Sequence, residues 1–326
     1  GAPGGAVTGG GAPALARLAD RDRRLRVEFD APLGERTTYR VGGTALALVH
    51  VDDPDALPLV AEAAHLDGLP VMTLGRGSNM LVADAGFPGV ALVLGAFAER
   101  VALPSTGAEP LVAAGASVVL PALARRLVHA GLRGMEWSVG VPGSVGGAVR
   151  MNAGGHGSDM ATNLRSADVV DLVGGVRRRW TPGELGLGFR HSGLGDRHVV
   201  VSAELGLVWG DPSAGRAELE AVVAWRRSHQ PGGQNCGSVF VNPVPGEVAA
   251  GALIDSLGLR GFRIGSAEVS TKHANFIQAD PGGSADDVMA VMSHVRDAVL
   301  SATGFELRTE VRLIGFDHSD TDPGER

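Results

Sequence analysis

Three side chains in this 326-residue sequence stand where charge or proton chemistry is worth testing: Arg190, Ser238 and Glu310. Arg190, in Leu187-Gly188-Phe189-Arg190-His191-Ser192, offers a planar cation that can grip a carboxylate with two hydrogen bonds, or can simply form an ion pair. Ser238 lies in Cys236-Gly237-Ser238-Val239-Phe240-Val241-Asn242-Pro243, just after a Pro231-Gly232-Gly233 break. No Gly-x-Ser-x-Gly elbow surrounds it, so acyl transfer has no support, and taken alone it is a turn residue. In the last apolar run, Phe305, Leu307, Val311 and Leu313 share one parity while Glu306, Arg308, Glu310 and Arg312 share the other. That alternation predicts a strand over 305–314 that turns Glu310 away from the core, onto a face with arginines on either side.

Two glycine-rich runs offer backbone donors. Between Gly140 and Gly157, seven of eighteen residues are glycine, a density that suits close approach to a phosphate or a flat ring, and equally an irregular loop. The second run, Gly75-Arg76-Gly77-Ser78-Asn79, sits between two short apolar stretches that read as strands, with no helix after the glycines. A dinucleotide fingerprint opening a helix is therefore missing, and no Gly-Lys-Ser/Thr occurs for a phosphate loop. Ten histidines form no His-x-His or His-Glu-x-x-His pattern and Cys236 is the single cysteine, so no metal site is expected. His273, in Ser270-Thr271-Lys272-His273-Ala274-Asn275-Phe276, reads as a hydrogen-bonded residue beside a strand.

The elements that must position these residues follow from periodicity and punctuation. Residues 1–13 are Gly, Ala and Pro without a period, and 1–16 are expected as a disordered tail. Strand, turn and strand are expected over 37–51 around Gly42-Gly43, then a helix opened by Asp53-Pro54 and left at Gly68. Strands follow at 71–74, 81–82 and 90–94. A helix from Ser117 to residue 130 shows Leu120, Leu123, Ala124 and Leu127 on one face. After the glycine-rich loop come strands at 167–173, 177–180 and 199–207, helices at 217–228, 248–257 and 285–303, and a polar tail at 317–326.

A formal net charge of −7 without a basic run argues against a nucleic-acid partner, and none is expected. One cysteine fits a reducing compartment, and no stretch of eighteen apolar residues or leader pattern occurs, so a cytoplasmic protein without a membrane partner is expected.

In this order the motifs resemble one family, the bacterial UDP-N-acetylenolpyruvoylglucosamine reductases. The likeness covers about 37–315. It rests on Tyr39-Arg40-Val41-Gly42-Gly43, Leu74 through Asn79 with Asp84, and Gly134-Met135-Glu136 leading into Val141-Pro142-Gly143-Ser144-Val145-Gly146-Gly147-Ala148 and Met151-Asn152-Ala153-Gly154. It continues through Phe189-Arg190-His191-Ser192, Gly237-Ser238-Val239-Phe240 with Asn242-Pro243, the 258–261 turn, Lys272-His273-Ala274-Asn275-Phe276, and Glu310-Val311-Arg312.

The resemblance implies an α+β protein: a two-lobed FAD-binding domain of the p-cresol methylhydroxylase type (17–98 and 99–212) and a C-terminal α+β substrate-binding domain (213–316). It implies noncovalent FAD held by Gly75, Arg76, Gly77, Ser78, Asn79, Ser144, Gly146, Gly147, Asn152, Ala153 and Gly154, and NADPH as co-substrate. It further implies catalysis by Arg190, Ser238 and Glu310, substrate contacts from Arg190, His229 and Asn242, and a monomer. Only a short segment separates Ser192 from the strand at 199 and Tyr39 is the sole tyrosine, so the chain is similar to the class lacking an inserted tyrosine loop. Phe189 stands where the family usually has tyrosine, His229 where a lysine is common, and His156 where an aromatic residue is frequent. Two other readings keep the fold: a flavin oxidase or specialised reductase, and a nucleotide-sugar binder without catalysis.

Overall fold

The computed structural model describes residues 11–316, which divide into two compact units: 11–31, 45–75 and 88–222 form the first, and 32–44, 76–87 and 223–316 the second. The expected tails at 1–10 and 317–326 lie outside the described residues.

In the first unit, a four-stranded sheet runs in the order Leu25–Ala31, Ala45–Val51, Phe87–Leu94, Val71–Thr73. The first pair is antiparallel and the last parallel. A five-stranded antiparallel sheet runs Arg177–Trp180, Leu164–Asp171, His198–Gly206, Leu111–Gly115, Val101–Ala102. The inward faces of both sheets contribute to one core that includes Val49, Leu92, Val169 and Leu205, closed by Leu123 and Leu127 of the helix Leu120–His129. Burying such side chains stabilises each by roughly 1.5–3 kcal/mol.

Several expectations need correction. The helix Pro13–Arg21 occupies part of the expected tail: Pro13 takes a first-turn position, Leu15 is wholly buried, and the Ala14 and Leu15 N–H groups donate to the Asp67 carboxylate at 2.9 Å. Composition hid it because one buried leucine and a distant acid suffice to pin a short helix. Over 37–51 only Ala45–Val51 is a strand, and its antiparallel partner is Leu25–Ala31, which the sequence reading passed over. Ser117 caps nothing: its hydroxyl donates to the Leu94 carbonyl, and the helix starts at Leu120 behind Val119. Inside the glycine-rich loop, Val145–Met151 is a helix, because Val145, Ala148 and Val149 are buried at i, i+3 and i+4.

The second unit is built on the helix Ala285–Thr303, whose Val288, Val291, Met292, Val295 and Val299 are buried in a second core. It packs on the antiparallel strands Arg263–Ile264, Ala267–Val269 and Ile277–Ala279. Ser284 caps it as expected, accepting from the Asp287 N–H at 3.1 Å. Asp84 adds a second cap, accepting from the Ala285 and Asp286 N–H groups at 2.9 and 3.2 Å, which ties segment 76–87 to this helix.

The expected strand over 305–314 is regular only at Arg312–Ile314, which pairs parallel with Met80–Val82. Leu307 and Val311 are buried as the alternation required, while Phe305 and Leu313 are half-buried. The ladder fails earlier because 308–310 pair with a different segment, through the Phe240–Thr309 bridge.

Candidate active site

The residues singled out by sequence fall into two constellations, one per unit. In the first, Ser144 is the N-cap of Val145–Met151, its hydroxyl accepting from the Gly147 N–H at 3.4 Å, while the Gly146 N–H donates to the Ala116 carbonyl at 2.8 Å. A Cβ on Gly75 would sit 2.9 Å from the Ser144 Oγ, so the two glycine-rich runs meet there.

Past the helix, Asn152 adopts a left-handed conformation (φ 41°) and is buried. Its amide donates to the Gly188 carbonyl at 2.8 Å and to Asp159 at 3.1 Å, and accepts from the Ala161 N–H at 2.9 Å. Ala153 continues the turn, its carbonyl accepting from the Met160 N–H at 2.9 Å. Gly154 pairs with Asp159, and a Cβ there would lie 2.5 Å from the Ser158 carbonyl oxygen.

Arg190 is held against this turn. Gly188 and His191 exchange backbone hydrogen bonds at 3.0 and 3.2 Å, making a tight hairpin with Arg190 in the left-handed region (φ 54°). The guanidinium donates to the Gly154 carbonyl at 2.8 Å and lies 5.2 Å from the centroid of the exposed Phe189 ring. The Asn152-to-Gly154 turn and the Gly188-to-Arg190 hairpin are thus stitched twice, once by each side chain.

The second constellation brings Ser238 and Glu310 together. The Glu310 N–H donates to the Val239 carbonyl at 2.7 Å, Phe240 bridges Thr309, and the Val241 N–H donates to the Arg308 carbonyl at 2.9 Å. Ser238 is therefore one residue from the backbone partner of Glu310, and both are half-buried. Asn79 serves this pairing: its amide donates to the Glu310 carbonyl at 2.8 Å and its own carbonyl accepts from the Arg312 N–H at 3.0 Å. Arg76 is exposed, Gly77 is buried against segment 36–37, and Ser78 is half-buried.

Beside Ser238, the Cys236 thiol and the Tyr39 hydroxyl are buried neighbours. Burial pushes the thiol up to about 12, with the hydrogen bond to Tyr39 opposing the rise and the Glu310 carboxylate adding to it. Burial likewise holds the Tyr39 hydroxyl well above the ordinary phenol range.

Asn242 uses its amide oxygen to accept from the Ala250 N–H at 3.0 Å, at the start of the helix Ala250–Ser256. His229 ends the helix Pro212–His229, stacked on Trp225 at 4.5 Å between centroids, with Nδ1 2.8 Å from the Trp225 carbonyl. The Lys272 ammonium bonds the Arg227 carbonyl in the same turn. His273 is held below its ordinary value, chiefly by burial and then by Arg260. Among the described residues no cluster of His, Cys, Asp or Glu could hold a metal, and no helix is long and apolar enough to cross a membrane.

Sequence reasoning passed over Asn275, which is buried and bonded to both backbone groups of Phe240. Its only sequence signal was its place in the Lys272-to-Phe276 motif.

Comparison with known proteins defines the class first. Residues 45–179 match the FAD binding domain family and 229–314 match the family described as UDP-N-acetylenolpyruvoylglucosamine reductase, C-terminal domain. The protein is thus of the α+β flavoprotein class expected, an FAD-binding domain followed by a second domain. A UDP-N-acetylenolpyruvoylglucosamine reductase of Heliobacterium modesticaldum is 42% identical over 308 residues, covering 93% of this chain and 96% of that protein. One of Synechococcus sp. strain WH7803 is 42% identical over 297 residues, covering 89% and 93%. The crystal structure of UDP-N-acetylenolpyruvylglucosamine reductase (MurB) from Thermus caldophilus superposes with a TM-score of 0.77 at 32% identity, over 89% of this chain and 99% of that one. The chain belongs to the UDP-N-acetylenolpyruvoylglucosamine reductase family.

Proposed function

We propose that this protein is an NADPH-dependent flavoenzyme that reduces UDP-N-acetylglucosamine enolpyruvate to UDP-N-acetylmuramate, a step of peptidoglycan precursor synthesis, acting on a nucleotide sugar in the cytoplasm. Family membership supports the reaction class. The single observation that supports the residue roles is the Val239–Glu310 backbone pairing, which brings Glu310 opposite the residue that follows Ser238.

The bound cofactor would be held by the 75–79 run and the Ser144-to-Gly154 segment, and supplies hydride taken from NADPH. An enolpyruvyl ether accepts hydride at its methylene carbon only if the neighbouring carboxylate absorbs the negative charge that develops. Arg190 is the bidentate cation for that carboxylate, and Glu310 supports the same charge as a hydrogen-bonding carboxyl group. The carbon bearing the ether oxygen then needs a proton. A serine hydroxyl is a weak acid, but the enolate-like species is basic enough to take its proton, and Ser238 gives it. His229 and Asn242 contribute substrate contacts.

The purified protein should be yellow. Mixed anaerobically after reduction by NADPH, it should regain oxidised-flavin absorbance when UDP-N-acetylglucosamine enolpyruvate is added. Reduced flavin that persists with this substrate would refute the assignment, and normal substrate affinity without turnover would favour a binding protein.

A further inference from the structure

We propose that Asn275 is the positioning residue for Ser238: its side chain replaces a missing strand and fixes the distance between the serine hydroxyl and the substrate carbon it protonates. The inference rests on the role assigned to Ser238 above.

The segment from Ser238 to Val241 is flanked on one edge by 308–310, through the Glu310, Thr309 and Arg308 bonds already described. A strand needs a partner on its other edge wherever it is shielded from water, since a buried N–H or carbonyl left unpaired forfeits the hydrogen bond it had to solvent. Among the described residues no strand lies there. Instead the Asn275 backbone carbonyl accepts from the Val239 N–H at 2.9 Å, its side-chain Oδ1 accepts from the Phe240 N–H at 3.0 Å, and its Nδ2 donates to the Phe240 carbonyl at 2.8 Å. One residue therefore supplies three of the hydrogen bonds that a neighbouring strand would make. The primary amide is suited to this, with a donor and an acceptor in the spacing of a peptide group.

Asn275 is itself held rigidly. It is 5% exposed, its N–H donates to the His273 Nδ1 at 3.2 Å, and the adjoining turn is closed by the Phe276 N–H to the His273 carbonyl at 3.0 Å and the Ser270 N–H to the Phe276 carbonyl at 2.8 Å. Gly237, in the left-handed region (φ 91°), turns the chain into Ser238, and its N–H donates to the Asn235 Oδ1 at 3.1 Å. Asn79 plays the matching part on the far edge, donating to the Glu310 carbonyl, so two asparagine amides bracket the Ser238–Glu310 pair.

The test uses the flavin-loaded enzyme and separates its two half-reactions by absorbance, with rates normalised to bound flavin. Asn275→Ala should leave flavin reduction by NADPH within about twofold of wild type and slow reoxidation by substrate about 30- to 100-fold, the effect of displacing a reacting group by about an ångström. Substrate affinity should change far less than the rate. The solvent deuterium isotope effect on reoxidation should rise as proton delivery becomes the slow event. Asn275→Asp, which keeps the acceptor for the Phe240 N–H, should fall between the two.

In the Ser238→Ala background, Asn275→Ala should slow reoxidation no further than about threefold, because residues acting as a unit are non-additive. Equal loss of both half-reactions, a wild-type reoxidation rate, or failure of both variants to fold with flavin would overturn the proposal. A Ser238→Ala enzyme that reoxidises at the wild-type rate would instead overturn the role given to Ser238.

Discussion

The two constellations hold their residues by opposite means. In the first unit the turn at Gly154 is set by space: backbone approaches so closely that a methyl group at 154 would collide with the Ser158 carbonyl oxygen. In the second, Ser238 and Glu310 are set by hydrogen bonds, from the Val239–Glu310 pair and from the Asn79 and Asn275 amides. Space-limited sites fail when an atom is added. Sites limited by hydrogen bonds fail when a donor is removed.

The largest effect should come from taking a reacting group out of the second constellation. Ser238→Ala should slow substrate reduction by about a thousandfold or more while leaving flavin reduction by NADPH nearly intact. Stopped-flow absorbance of both half-reactions measures this, and equal loss in both would make Ser238 structural. Glu310→Gln should impair the same half-reaction by about a hundredfold; an unimpaired rate removes the carboxyl group from the mechanism.

In the first constellation the comparison predicts sensitivity to a single carbon. Gly154→Ala should cost about 1–3 kcal/mol and weaken flavin retention. Gly155→Ala should be nearly silent, since nothing lies within 4 Å of a Cβ there. Thermal unfolding and flavin release of the pair would decide it, and equal behaviour would contradict a space-limited turn. Asn152→Ala, which frees the Gly188 carbonyl and the Ala161 N–H, should cost about 1–3 kcal/mol in the same assay.

The smallest effect concerns Cys236. Its thiol is raised from 9.0 when unfolded to about 12 when folded. The folded protein therefore holds a proton that the unfolded chain loses, so this contribution to stability is full below pH 9 and vanishes as pH rises toward 12. Denaturant unfolding between pH 8 and 10.5 should show a decline that Cys236→Ser reduces. At pH 8 the folded protein should resist alkylation at Cys236 while the unfolded chain reacts; rapid labelling of the folded form would show that the thiol is not buried.

What could be read from the chain alone was whatever local chemistry dictates. Apolar spacing gave the helix Ala285–Thr303 with its Ser284 cap and most strands of the five-stranded sheet. The order of the motifs gave the family, and from it the FAD-binding domain. Missed elements were those whose reason lies far away. Pro13–Arg21 depends on Asp67, and the helix Val145–Met151 was hidden under its glycines. The strand expected over 305–314 was interrupted because 308–310 are paired to 239–241.

The sequence by itself determined which residues are available: one serine after a glycine break, one carboxylate between arginines, and glycines wherever backbone had to pass close. Only the tertiary structure decided which of them share a ladder. Periodicity reports which way a side chain faces, but pairing between residues seventy positions apart is chosen by the closure of the whole unit. The register that seats Ser238 beside Glu310, and the asparagine amides that hold it, are settled by which buried N–H and carbonyl groups would otherwise go unpaired.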